Sequence, residues 1–176
     1  IMDDEPKLGV LGGRVRPLHL VTPPDWFPGM EGWLACREPG EEELRADWSE
    51  GKTGWPWFAP NGAGMVVRKD ALDRYAETAA QSDVRSQLGR NGRAKFGANE
   101  DVDIGLVALG MGYGAGYSPR LAMDHAIPER RMDLQYICRL AHGAAASGYL
   151  LKRAHGLSTQ PPLPAWQAPF LKMNAW

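Results

Sequence analysis

Apolar positions along this chain change period several times, and each change marks an element. Leu8–Gly9–Val10–Leu11–Gly12–Gly13–Arg14–Val15 is an aliphatic and β-branched run that reads as a buried strand. Its paired glycines predict a bend or a close backbone approach, and Pro17 predicts its end. Met65–Val66–Val67–Arg68 reads as a second buried strand, entered through the small residues Asn61–Gly62–Ala63–Gly64. Asp70 to Ala80 then sets Leu72, Tyr75, Ala76 and Ala79 along one helical face. Val102, Leu106 and Leu109 repeat at helical spacing while Ile104, Val107 and Ala108 cover the other sides, which predicts a buried helix. Asn99 is its expected N-cap and Gly110 its expected stop. Gly112 to Pro119 alternates small and larger residues as a strand does, and Leu121 to His125 reads as another. Arg131 to Arg153 is the longest helical signal, with a stripe of Met132, Tyr136, Leu140 and Ala144 beside Ile137, Ala141 and Ala145.

Between Pro23 and Pro60 the periodicity is poor. Glu41 to Trp48 is the one short helix expected there, because Leu44 and Trp48 stand four apart. Trp55–Pro56–Trp57–Phe58–Ala59–Pro60 is an aromatic loop stiffened by proline, equally fit for packing on a core and for stacking a sugar face or a base. Ser82 to Lys95 is polar and basic, with Arg85, Arg90, Arg93 and Lys95 among glycines; it reads as a solvated surface or a phosphate-clamping loop. Strands alternating with helices argue an α/β fold.

Composition narrows the classes. At 176 residues the chain can build one domain with a substantial core. A net charge of −1 gives no reason to expect nucleic acid or an anionic membrane as a general partner. Glycine (21) and proline (14) are plentiful, which predicts many turns. Cys36 and Cys138 have no metal or redox spacing and read as free thiols in a reducing compartment. No stretch reaches the ~20 apolar residues that span a bilayer.

The chemistry concentrates at Asn99–Glu100–Asp101–Val102–Asp103, where three acids open a helix and the helix dipole favours their ionised forms. Such a cluster either charges a helix start or faces a cation or substrate. His125 stands beside Asp124 ahead of Ile127–Pro128, a place for a structural histidine or a metal ligand.

Taken in order, the motifs resemble family 2 glycosyltransferases. They are Gly12–Gly13–Arg14–Val15, Asn61 to Lys69, Glu100–Asp101–Val102–Asp103, Gly112–Tyr113 with Tyr117–Ser118–Pro119, and His125 to Pro128 with Arg131. The resemblance covers roughly residues 8 to 150. It implies the acceptor-side, C-terminal half of a GT-A (Rossmann-like) fold over residues 1–155, a mixed sheet with flanking helices, followed by a truncated proline-rich extension over 156–176. The nucleotide-binding half, with its Asp-x-Asp motif, has no counterpart here, since Asp3–Asp4–Glu5 stands too close to Leu8.

The resemblance further implies an inverting transferase that uses a nucleotide-diphosphate sugar and a glycan or lipid-linked acceptor in cell-envelope synthesis. Asp101 would be the general base, supported by Glu100. Asp103, Trp55, Trp57, Gly62, Gly64 and Arg131 would bind substrate, and His125 would be a metal ligand. A divalent cation, Mn2+ or Mg2+, is expected mainly from the missing half. The expected setting is cytoplasmic, at the inner face of a membrane for a peripherally bound whole protein, with a second copy covering the open seam. By itself the fragment is expected to be inactive. Two other readings stand beside this one: a non-catalytic carbohydrate-binding module using Trp55, Trp57 and Phe58, and a metal-dependent hydrolase built on Asp101, Asp103 and His125.

Overall fold

The structure is a computed structural model that describes residues 1–46, 56–85, 88 and 98–157. Its centre is a pair of long parallel strands, β1 (Leu8–His19) and β4 (Gly114–Ile127). Two short strands flank them antiparallel, β2 (Leu44–Ala46) on β4 and β3 (Val66–Val67) on β1, giving the order β2-β4-β1-β3. The helices are α1 (Lys69–Ala80), α2 (Glu100–Gly110) and α3 (Leu134–Ala154). Parallel strands need a long crossover, and here it carries α1 and α2. The fold is therefore α/β, a four-stranded mixed sheet with flanking helices.

Several local expectations change in three dimensions. Pro17 does not end β1, which pairs with β4 as far as His19 opposite Ile127. Val15 exchanges both backbone bonds with Arg37, on the side away from β4, at 2.9 Å each. Pro17, two residues on, points its missing donor to that same side, where the strand has lost its neighbour. The strands expected over 112–119 and 121–125 are one strand, β4. It bulges past β1 between Tyr117, opposite Gly12, and Ala122, opposite Arg14. The bulge explains Gly13: a Cβ there would lie 2.1 Å from the Leu121 carbonyl oxygen.

The helix expected over Glu41–Trp48 is instead the strand β2, whose last predicted residues lie outside the described segment. The open edge of β4 supplies a ladder that a three-residue helix could not match. Arg45 locks it, donating to the Tyr117 carbonyl at 2.8 Å and to Glu5 and Glu43 carboxylates. On α1 the buried residue is Ala71, and Leu72 is exposed. Gly110 is the last helical residue of α2, and the stop is made by Gly112 at φ +88°. Gly112 N donates to Leu109 O and Tyr113 N to Ala108 O, the paired bonds of a Schellman ending.

Two apolar clusters hold these elements. Val10, Ala59, Ala71, Ala108, Leu109 and Ala115 seat α1 and α2 on the sheet. Val15, Phe27, Leu34, Cys36, Ile127, Met132, Ile137 and Leu140 join the far end of β1 and β4 to α3 and to a 3-10 turn at Glu31–Leu34. Phe27 and Ile127 are fully buried, each contributing about 1.5–3 kcal/mol by area. Burial also pushes the Cys36 thiol up from its ordinary pKa, whereas Cys138 is exposed. Among the described residues no helix is long and apolar enough to cross a membrane.

Candidate functional site

The N-terminus of α2 opens onto a cavity of about 460 Å³. Four other segments wall it: the 3-10 turn with Trp33 and the adjoining Ala35, Asn61 to Ala63, the end of β4 with His125 and the 3-10 turn after it with Arg131, and Leu140 and Ala144 of α3. Residues distant in sequence thus meet because β1 and β4 run parallel, so loops at one end of the sheet converge on a helix start.

Asp101 is the best-held acid of the cavity. Its Oδ2 accepts from Gly62 N at 2.6 Å, and its Oδ1 accepts from Val102 N at 2.8 Å. The second bond satisfies one of the donors that every helix start leaves without a partner. An ionised carboxylate has about four acceptor positions, so two remain for a ligand. Gly62 itself sits against this side chain: a Cβ would come within 3.4 Å of Asp101 Oδ2.

Arg37, which the sequence did not single out, fixes the segment carrying Gly62. Its Nη1 donates to the Trp57 carbonyl and, at 3.1 Å, to the Ala59 carbonyl; its Nη2 donates to Asn61 Oδ1 at 2.9 Å. Burial lowers the Arg37 pKa, and the nearby Asp101 charge opposes that shift. Asn99 stands at the expected N-cap position of α2, its carbonyl accepting from Asp103 N at 2.9 Å, but its side chain does not cap. It is left-handed at φ +70°, makes no side-chain cap bond, and spends its amide on the Ala144 carbonyl of α3 at 2.9 Å. Ser147 of α3 adds a bond, accepting from Ala98 N at 3.2 Å.

The three acids of α2 part company. Residues two apart lie about 200° apart on a helix, so Asp101 and Asp103 face different surroundings. Asp103 is 0% exposed. Its Oδ1 is 2.6 Å from His155 Nε2 and 3.6 Å from Arg85 Nε, while Arg85 also donates to Thr78 Oγ1 at 2.6 Å. Asp103 is thus placed away from the cavity, in a buried ionic contact that ties α2 to the end of α3. Glu100 is exposed at the cavity wall.

Across the cavity, Arg131 Nη1 lies 3.2 Å from His125 Nε2. A guanidinium only donates, so His125 Nε2 is the acceptor in this contact. Among the described residues no three of His, Cys, Asp and Glu converge in a way that could hold a metal ion.

Of the substrate-binding residues expected from sequence, the structure brings Gly62 and Arg131 to the cavity with Asp101, Glu100 and His125. Gly64 is a turn residue at φ +72° packed toward Met123. Trp57 is 67% exposed and does not line the cavity, Phe58 is buried, and Trp55 lies outside the described residues. Trp57 and Phe58 meet edge to face at 5.8 Å, so they do not offer one flat platform. Among the described tryptophans, the one that lines the cavity is Trp33. Sequence spacing had no means of finding it, because the Glu31–Leu34 turn has no periodic signal. Arg90, Arg93, Lys95 and the proline-rich segment over 158–176 lie outside the described residues.

Comparison with protein-family models, with curated proteins and with solved structures finds no match for this chain.

Proposed function

We propose that this chain supplies the acceptor side of an inverting glycosyltransferase of the GT-A type, with Asp101 as general base. The observation that carries the reading is the Asp101 carboxylate, held by Gly62 and Val102 amides yet open to a cavity with a guanidinium on another wall. In this mechanism an acceptor hydroxyl enters beside Asp101 and gives its proton to a free carboxylate position. Its oxygen forms the new bond to the anomeric carbon as the bond from that carbon to the diphosphate breaks on the opposite face, inverting the centre. Glu100 and Asn61 offer further polar contacts for the acceptor. Arg131 is the positive group available to the departing diphosphate. Donor nucleotide and any divalent cation are left to residues other than those described, and no step above passes through a metal.

The hydrolase reading required Asp101 and Asp103 to act together, and α2 turns them apart. The test is Asp101→Asn in the whole protein. Transfer from a nucleotide sugar should fall by about 10²–10⁴ in kcat while the far-UV spectrum and Tm hold, since an amide oxygen can still accept from Gly62. If calorimetry detects no nucleotide-sugar binding by the whole protein, the proposal fails.

A further inference from the structure

Trp33 is a large apolar side chain left 47% exposed on a backbone that is held firmly. Its turn is anchored by core residues, Phe27 before it, Leu34 at its end and Cys36 after it. Within the turn, Trp33 N donates to Met30 O at 3.0 Å and Cys36 N to Glu31 O at 3.1 Å. Glu31 fastens the entry, its Oε2 accepting from Gly29 N at 2.7 Å. Ala35 turns the chain at φ +65°, a left-handed geometry that only a well-determined segment imposes on alanine.

Trp26 packs edge to face on Phe27, and Trp57 on Phe58. No ring stacks on Trp33 among the described residues. Of Trp26, Trp33 and Trp57, it alone reaches the cavity, together with Glu100, Asp101 and Asn61. An exposed indole that shares the lining of one cavity with carboxylate and amide groups matches one ligand chemistry well. A pyranose has a face of C–H groups that packs on an aromatic ring and a rim of hydroxyls that hydrogen-bond to acids and amides.

We infer that Trp33 is the stacking platform for the acceptor, and that the acceptor therefore ends in a pyranose ring presented by its C–H face. The inference rests on the transferase reading, which requires an acceptor in this cavity but leaves its class open. A sugar stacked on Trp33 would turn its hydroxyl rim toward Glu100 and Asp101. Trp33 is thus a specificity-determining residue that has no part in proton transfer.

The experiment is a titration of the 15N-labelled chain with cellobiose and with N,N′-diacetylchitobiose, glycerol phosphate serving as a polyol that has no ring. The Trp33 indole N–H resonance is assigned by its loss in Trp33→Phe. At least one disaccharide should shift that resonance saturably, and glycerol phosphate should not. Trp33→Ala should weaken the binding by about tenfold or more, Trp33→Phe by less, and Trp57→Ala should leave it unchanged; tenfold corresponds to about 1.4 kcal/mol. No shift of Trp33 up to tens of millimolar disaccharide, or equal binding by Trp33→Ala, overturns the inference. In the whole protein, Trp33→Ala should raise the acceptor KM with kcat nearly kept, whereas Asp101→Asn should lower kcat. Sugar binding on Trp33 together with full activity in Asp101→Asn would overturn the transferase reading and leave the platform standing. Loss of activity in Asp101→Asn with an unchanged acceptor KM in Trp33→Ala would do the reverse.

Discussion

The Gly62 amide donates to Asp101 Oδ2 at 2.6 Å across 39 positions of sequence. This bond joins a loop at the edge of the sheet to the first turn of α2, and it orients the carboxylate proposed as the base. The loop keeps its place through Arg37, whose guanidinium holds the carbonyls of Trp57 and Ala59 and the side chain of Asn61.

Replacing Arg37 by methionine should therefore remove several hydrogen bonds and leave partly buried acceptors without a donor. Stability should drop by about 2–3 kcal/mol in urea unfolding. Arg37→Lys should recover only part, because one ammonium cannot reproduce the planar fork. Faster hydrogen exchange at Gly62 in both variants would show that the loss reaches Asp101. Unchanged Gly62 protection in Arg37→Met would separate Arg37 from the site.

Asp103 is predicted to be structural. Its removal in Asp103→Ala leaves His155 and Arg85 without the carboxylate they share, and breaking such a buried contact costs on the order of 3 kcal/mol. His155→Ala should lose less than Asp103→Ala, and the double variant should cost less than the sum of the two. An additive double-mutant cycle would deny the coupling.

Two glycines make opposite predictions. Gly13→Ala places a methyl against the Leu121 carbonyl, a backbone atom that cannot swing away. The protein should lose about 3 kcal/mol or fail to fold. Gly110, at the end of α2, has open space around its missing side chain, and Gly110→Ala should gain roughly 0.5–1 kcal/mol. Thermal melts of the pair settle both.

Glu43 governs part of the acid response. Its carboxyl is held below the ordinary value of 4.5 by the Ser118 hydroxyl first and then by Arg120. A carboxylate with a lowered folded-state pKa adds stability that is complete above 4.5 and is lost as the pH falls toward the folded value. Glu5, held down chiefly by Arg45, and Glu41, held down chiefly by Arg14, act in the same direction. Urea unfolding of Glu43→Gln should show a shallower loss of stability below pH 4.5 than the parent chain, starting from a lower value at neutral pH. Parallel curves for the two would remove Glu43 from the acid response.

How far the sequence reached depends on where the information lies. Local periodicity placed α1, α2 and α3 to within a few residues, and the aliphatic runs placed β1 and β3, although β3 is not the buried strand expected, since Val66 is exposed at the sheet edge. These elements bury faces that repeat every two or three to four residues, so neighbours in sequence report on them. Gly12–Gly13 was legible as a close approach because glycine has few other uses inside a strand. Asp101, Glu100, Gly62, His125 and Arg131 were each nameable from motifs, and the parallel pairing of β1 with β4 then put them around one cavity.

Other features depended on contacts between distant segments, which composition and spacing do not encode. Leu44 to Ala46 is a strand because β4 has a free edge beside it, and Pro17 sits within β1 because the neighbour on its donor side has ended. Helical geometry sent Asp103 to His155 and Arg85, dividing an acid cluster that looks continuous in sequence. Arg37 and Trp33 stand in a stretch without periodicity, and their roles exist only once the 57–62 loop and α2 are folded against them. The sequence by itself determined the three helices, the aliphatic strands and the acid at the helix start, since those follow from short-range propensity and charge. Which acid faces the cavity, what orients it and which described tryptophan lines the same cavity were decided by tertiary structure, because each depends on side chains that only packing brings within reach.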